Sequence, residues 1–206
     1  MSSPIIVCKS TFDIRAFGKK SITVGLLINK QISIILLLEC KLSKKIITLS
    51  LEQWFTLMSE SNYNSIINNL HNKCRRVNIT DNFSYSINVK HSLITLHIND
   101  NYISLTSIDF ARLKQIQNLI DVYIAEKQKL LVSYQATFNT AYDLIKSDIK
   151  GLPKSCQRSE FTNQYIQNYD FSYYSHLQNN DTSFLHEILQ FHFNTMSDMI
   201  LQDLIL

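Results

Sequence analysis

The chain has 206 residues, 45 % of them hydrophobic, with a formal net charge of +3. That is enough apolar material for one large or two small folded domains. With only 3 Gly and 2 Pro, Gly-rich phosphate loops of the Walker or Rossmann kind, long flexible linkers and a many-turned β-sandwich are excluded.

The small net charge conceals an asymmetry. Up to Thr80 there are eleven Lys and Arg against four Asp and Glu, and beyond it nine against thirteen. A clustered positive face attracts phosphates, whereas an even spread means little beyond solubility. The four cysteines, Cys8, Cys40, Cys74 and Cys156, are scattered without a CxxC pair or a zinc-spaced histidine. Neither a disulfide framework nor a metal centre is expected, and reduced thiols fit a nuclear or cytosolic protein. No apolar run reaches the roughly 18 residues of a membrane span, and the N-terminus does not read as a signal peptide.

From Phe12 the chain reads as a series of short strands: Phe12 to Phe17, Ser21 to Leu27, Ile32 to Leu38 and Lys45 to Leu49. The second and third are joined near Asn29-Lys30, a polar turn without glycine. The run from Ile34 to Leu38 does not alternate, so this strand is expected to be covered on both faces. A helix follows from Leu51 to about Asn69, with Leu57, Ile66, Ile67 and Leu70 on its apolar face; Asn62 and Asn64 weaken its middle and allow a break there.

The stretch IITLSLEQWFTLMSE, Ile46 to Glu60, then recurs as YISLTSIDFARLKQ, Tyr102 to Gln115. Ile47 matches Ile103, Leu49 matches Leu105, Ser50 matches Thr106, Gln53 matches Asp109, Trp54 matches Phe110 and Leu57 matches Leu113. Each copy is a strand end, a hydroxyl able to cap the helix, and a Gln or Asp three residues on as the reciprocal half of a capping box. Strands upstream of the second copy are expected at Arg76 to Thr80, Phe83 to Val89, Leu93 to Ile98 and Tyr102 to Leu105.

GKKSITV, the hairpin after it, the basic loop Leu42-Ser43-Lys44-Lys45 and ITLSLEQWFTLMSE together resemble the single-stranded-DNA-binding domain of the positive cofactor four transcriptional coactivator family. The likeness covers about Phe12 to Leu70, with a weaker second copy from about Arg75 to Val122. It implies an α+β fold of two tandem curved antiparallel sheet-plus-helix (ββββα) units forming an intramolecular pseudo-dimer. The units would span residues 1–74 and 75–150, with a helical extension over 151–206. It also implies binding of single-stranded DNA or another nucleic acid in replication, transcription or genome packaging, in a viral setting among others. Lys19, Lys20, Lys30, Lys44 and Lys45 match the basic positions, and Lys90 and Tyr102 contribute from the second copy. The family's stacking aromatics are replaced by Leu27 or Ile28 and by Leu37 and Cys40. The rival reading is therefore an assembly protein, such as a nucleocapsid component, that keeps the fold and oligomerises through its helices.

Beyond Ser107 an apolar stripe through Leu113, Ile116, Ile120, Tyr123, Leu130, Tyr134, Phe138, Ala141 and Ile145 predicts one helix of roughly forty residues, about 60 Å long. Gly151 and Pro153 end it and begin a linker to about Ser159. The aromatic, Asn-rich Tyr165 to Tyr174 follows, and an amphipathic helix from Asp181 closes the sequence, offering a surface for homo-oligomers. His186 and His192 do not share a helical face as metal ligands, and no nucleophile–base signature is present. No enzyme activity, cofactor, metal or membrane association is expected.

Overall fold

A computed structural model describes residues 5–15, 19–29, 31–72, 74–150 and 199–200. Two four-stranded antiparallel meanders, β1-β2-β3-β4 and β5-β6-β7-β8, are each followed by helices, giving the α+β tandem arrangement that the repeat predicts. The first comprises β1 (Ile5–Arg15), β2 (Lys20–Ile28), β3 (Ser33–Cys40) and β4 (Lys45–Ser50), then α1 (Leu51–Met58) and α2 (Glu60–Asn68). The second comprises β5 (Cys74–Thr80), β6 (Phe83–Asn88), β7 (Leu93–Ile98) and β8 (Asn101–Thr106), then α3 (Ser107–Gln115) and α4 (Gln117–Lys150).

Both helix starts are capping boxes. Ser50 accepts from the Gln53 N–H while the Gln53 side chain accepts from the Ser50 N–H; Thr106 and Asp109 make the same reciprocal pair. These bonds satisfy amide groups that a helix start leaves without partners. Ser50→Ala is expected to cost about 1 kcal/mol, read as a lower midpoint in urea unfolding with an unchanged slope. Both predicted helices are interrupted, the first close to the weakened middle and the second where one continuous helix is expected. The first is broken at Ser59, where a new cap begins α2. The long one is interrupted at Ile116, where φ of −91° and ψ of 2° depart from helical values.

Burial follows the strand period in the second sheet. In β7, Ile94, Leu96 and Ile98 are buried while Leu93, Thr95 and His97 are half-buried; in β8, Ile103 and Leu105 are buried between more open neighbours. Alternation of this kind belongs to a sheet with one face on the core and one toward solvent. In the first sheet the most enclosed strand is β2, buried on both faces through Leu26. Strand β3, whose unbroken apolar run predicts cover on both sides, instead leaves Leu37 and Glu39 only half-buried. Glycine-poor turns are closed by other devices: Asn29 Oδ1 accepts from the Gln31 N–H at 2.9 Å, and Lys44, Ser92 and Asn99 take positive φ. Asparagine enters this left-handed region most readily of the three.

The chain forms two compact units that cut across the sequence repeat. One gathers residues 1–8, 27–32 and 129–206, and the other residues 9–26 and 33–128. In the first, Tyr134, Phe138, Ala141, Ile145 and Ile200 are buried along with Ile28 and Ile32. There the Ile32 N–H donates to Gln135 Oε1 at 2.6 Å, and the Tyr142 hydroxyl donates to the Met199 carbonyl at 3.1 Å. The expected linker, the aromatic segment from Tyr165 and most of the closing helix lie outside the described residues.

The second unit holds most of both sheets and is organised about a pseudo-two-fold relation. Strands β4 and β8, the matching last strands, lie side by side. Gln53 of the first copy donates to Asn82 in the β5–β6 turn at 3.1 Å, while its counterpart Asp109 accepts from Lys20 at the start of β2 at 2.7 Å. Helix contacts are exchanged in the same way. The Asn69 amide in the first copy donates to the Tyr85 hydroxyl of the second sheet at 3.2 Å, and Tyr123 of α4 packs edge-on to Phe12 of β1. Met58 and Lys114 occupy matching positions and meet each other, the Lys114 ammonium donating to the Met58 carbonyl at 2.8 Å. A residue meeting its own counterpart is what an isologous interface produces on its axis.

Candidate nucleic-acid interface

The lysines singled out in the sequence divide into two groups. Lys19 and Lys44 are exposed, Lys44 at the β3–β4 turn and Lys19 just before β2. The Lys41 N–H donates to the Lys19 carbonyl at 3.0 Å, so these two connections form one edge carrying Lys19, Lys41 and Lys44. Lys41 was not anticipated, although its position in KLSKK placed it in the same basic loop. Lys20 belongs elsewhere. It is 7 % exposed, and its ammonium sits 2.7 Å from Asp109 Oδ2. The expectation that Lys20 neutralises a phosphate is corrected on that ground: β2 is enclosed on both faces from its first residue, so the second lysine of GKKS is covered, and its charge is already matched. Lys90 is exposed on the short turn after β6. Lys30 lies outside the described residues.

Lys45 and Tyr102 come from different copies, yet the Lys45 ammonium lies 3.0 Å from the centre of the Tyr102 ring. The approach of β4 and β8 brings them together. A cation over an aromatic face is attracted by the ring quadrupole. Tyr102 remains 46 % exposed, so this contact sits at the surface.

Tyr102 opens onto a row that sequence reasoning missed. Register pairs Ser84 with His97 and His97 with Tyr102, and beside them Ser86 with Thr95 and Thr95 with Ser104. Directly opposed residues share a face, so this face is lined by hydroxyls, an imidazole and a phenol. Ser86 and His97 Nε2 are 2.9 Å apart, Thr95 and Ser104 are 2.9 Å apart, and Arg76 Nε donates to Ser84 Oγ at 2.6 Å. The rings of His97 and Tyr102 are 6.0 Å apart. Burial, reinforced by the nearby Arg76 charge, lowers the His97 pKa below the ordinary histidine value. The available signal was polar alternation in SYSIN and ITLHI, which fixes which side chains share a face.

A separate cleft of about 580 Å³ lies at the start of α1, bordered by Ser50, Glu52, Gln53, Asp81 and Asn82. Two carboxylates at its mouth disfavour an anionic guest. Among the described residues no group of three or more His, Cys, Asp or Glu converges on a metal position, and no helix is long and apolar enough to cross a membrane. The chain matches no protein-family model, no curated protein and no solved structure.

Proposed function

We propose that this protein binds nucleic acid, single-stranded DNA foremost, as a fused pair of domains like those of the positive cofactor four coactivators. The observation that carries the reading is the Lys45 ammonium over the Tyr102 ring, beside the basic turn of Lys41 and Lys44. Single-strand binders combine cations that track the backbone with rings on which bases stack. Here the two copies contribute one of each. The resemblance of the Gly18 to Glu60 stretch to the coactivator domain supports the same reading, as does the excess of basic residues up to Thr80.

Fluorescence anisotropy of labelled oligo-dT against a matched duplex, over a salt series, tests it. Tight, salt-sensitive preference for the single strand is expected. Replacing Lys44 and Lys45 with glutamine lowers affinity and reduces the magnitude of the slope of log K against log salt, by roughly 0.7 for each phosphate no longer neutralised.

A second reading, assembly through helices, rests on the outward apolar residues of α4. Val122 is 54 % and Val132 79 % exposed, and outward valines of this kind are available to a partner helix. Absence of oligo-dT binding at low salt, together with a defined oligomer in light scattering, would favour assembly.

A further inference from the structure

We propose that an unpaired strand stacks its bases on the second sheet alone, against Tyr102 and His97, with its backbone along Arg76 and along Lys45 at the adjoining start of β4, while the matching face of the first sheet is closed to it. This rests on the nucleic-acid reading above and assigns the ligand to one half of the pseudo-dimer.

The two halves can be compared position by position. Leu49 pairs with Leu36 as Leu105 pairs with Ile94. In that alignment Glu39 stands where the second sheet has His97, Ile46 where it has Tyr102, and Leu37 where it has Thr95. Thus one face offers two rings and a hydroxyl, and the other a carboxylate and two aliphatic chains. Aliphatic residues give a base no π-face to stack on, and a carboxylate repels the phosphate beside it.

Charge points the same way. Strands β5 to β8 contain no Asp or Glu at all, whereas β1 carries Asp13 and β3 carries Glu39. Among the described residues, the acidic character of the sequence beyond Thr80 is borne by turns and helices: Asp81 and Asp100 sit in turns, and Asp109, Asp121, Glu126 and Asp143 in α3 and α4. The acid-free face of the second sheet is therefore complementary to a polyanion even though the surrounding sequence is acidic.

The ring itself is suitably held. Lys45 over Tyr102 marks a π-face that already receives a cationic group at the surface. A nucleobase takes the same kind of position, and the displaced ammonium meets the neighbouring phosphate. Arg76, anchored through Nε to Ser84, keeps its terminal nitrogens for a second phosphate.

The test compares full-length variants by oligo-dT anisotropy and by photo-crosslinking to oligonucleotides containing 4-thiothymidine. Tyr102→Leu is expected to weaken binding roughly ten-fold or more, within the range for losing one stacked base. His97→Gln should weaken it less, and Glu39→Gln and Ile46→Ala should leave it within about two-fold, the range of a surface change that touches no ligand. Crosslinks are expected in the peptides containing His97 and Tyr102. Tyr102 and Ile46 are both nearly half exposed, so circular dichroism and the melting temperature should be unchanged in these variants. If the wild-type protein binds oligo-dT and Tyr102→Leu and His97→Gln bind as tightly as it does, or crosslinks map to Leu37, Glu39 or Ile46 on the first sheet, the one-sheet assignment is overturned and the nucleic-acid reading stands. If the wild-type protein does not bind at low salt, both fall.

Discussion

Asp109→Ala lowers the unfolding free energy by about 3–5 kcal/mol, the cost of removing one partner from a buried ion pair. Asp109 is 1 % exposed and Lys20 7 %, so the lysine left behind has no bulk water to accept its charge. The Asp109 carboxylate also accepts from the Thr106 N–H at 2.9 Å, and Arg15 approaches it at 3.9 Å; both interactions disappear with it. The matching position in the first copy does the same capping with an uncharged side chain, Gln53, bonded to Asn82. A Lys20→Met, Asp109→Gln double variant copies that neutral arrangement and should recover most of the lost stability, because apolar or neutral replacement of a whole buried pair is often nearly neutral. Chemical denaturation of the three proteins at pH 7 measures the series.

The same pair fixes the direction of acid sensitivity. Burial alone would raise the Asp109 carboxyl; the hydrogen bond from Lys20, the bonds from Thr106 and the Lys20 charge outweigh it and hold the group below the ordinary carboxylate value. An acid depressed in the folded state stabilises the fold above its unfolded pKa of about 3.9, and that contribution is lost as pH falls through the lower folded value. Wild-type stability should therefore fall more steeply below about pH 4 than that of the double variant. Parallel curves for the two proteins would show that Asp109 does not carry the effect.

The second large effect is expected at Trp54, the single tryptophan of the chain and fully buried. Trp54→Ala should cost about 3–5 kcal/mol through reduced burial and the cavity left behind. Trp54→Phe separates the two contributions. It keeps most of the apolar packing but leaves Asp121 without the indole N–H that donates to it at 2.8 Å. Asp121 is half-buried and still accepts from the Gln117 amide at 3.3 Å, so the expected cost is that of one hydrogen bond, about 1 kcal/mol. Because Asp121 lies on α4 and Trp54 on α1, the bond ties the two copies together. Phe110, the counterpart of Trp54, is also fully buried and stacks on Tyr63 of α2 at 5.2 Å between centroids. Phe110→Ala should approach the cost of Trp54→Ala, and urea unfolding of all three variants followed by far-UV circular dichroism measures this.

Much of this architecture was legible along the chain. Strands advertise themselves by period, and the Leu93 to Ile98 strand keeps the bounds that its alternation predicts. Capping boxes are local by nature: a hydroxyl and a Gln or Asp three residues on are within reach of each other in any helix start. Duplication is visible because both junctions obey the same local rules. The break in the first helix was signalled by Asn62 and Asn64 but falls earlier, at Ser59; the one at Ile116 was less legible, since the helical stripe continues through it and only backbone geometry interrupts it.

The face that carries Tyr102 and His97 was readable only in part. Lys45 and Tyr102 both stand out along the chain, but nothing in the sequence says that they touch, because they are brought together by β4 lying against β8. Lys20 illustrates the same limit from the other side. In sequence it is one of two adjacent lysines; in the fold it opens a strand enclosed on both faces and meets Asp109, far along the chain.

The sequence by itself determined the elements, their order and the repeat, since periodicity, capping and turn chemistry act over a few residues. The tertiary structure was needed to settle which charges are neutralised, which rings stay open and which residues of the two copies meet. Those properties depend on pairing across the pseudo-two-fold relation, where partners are residues that no local rule connects.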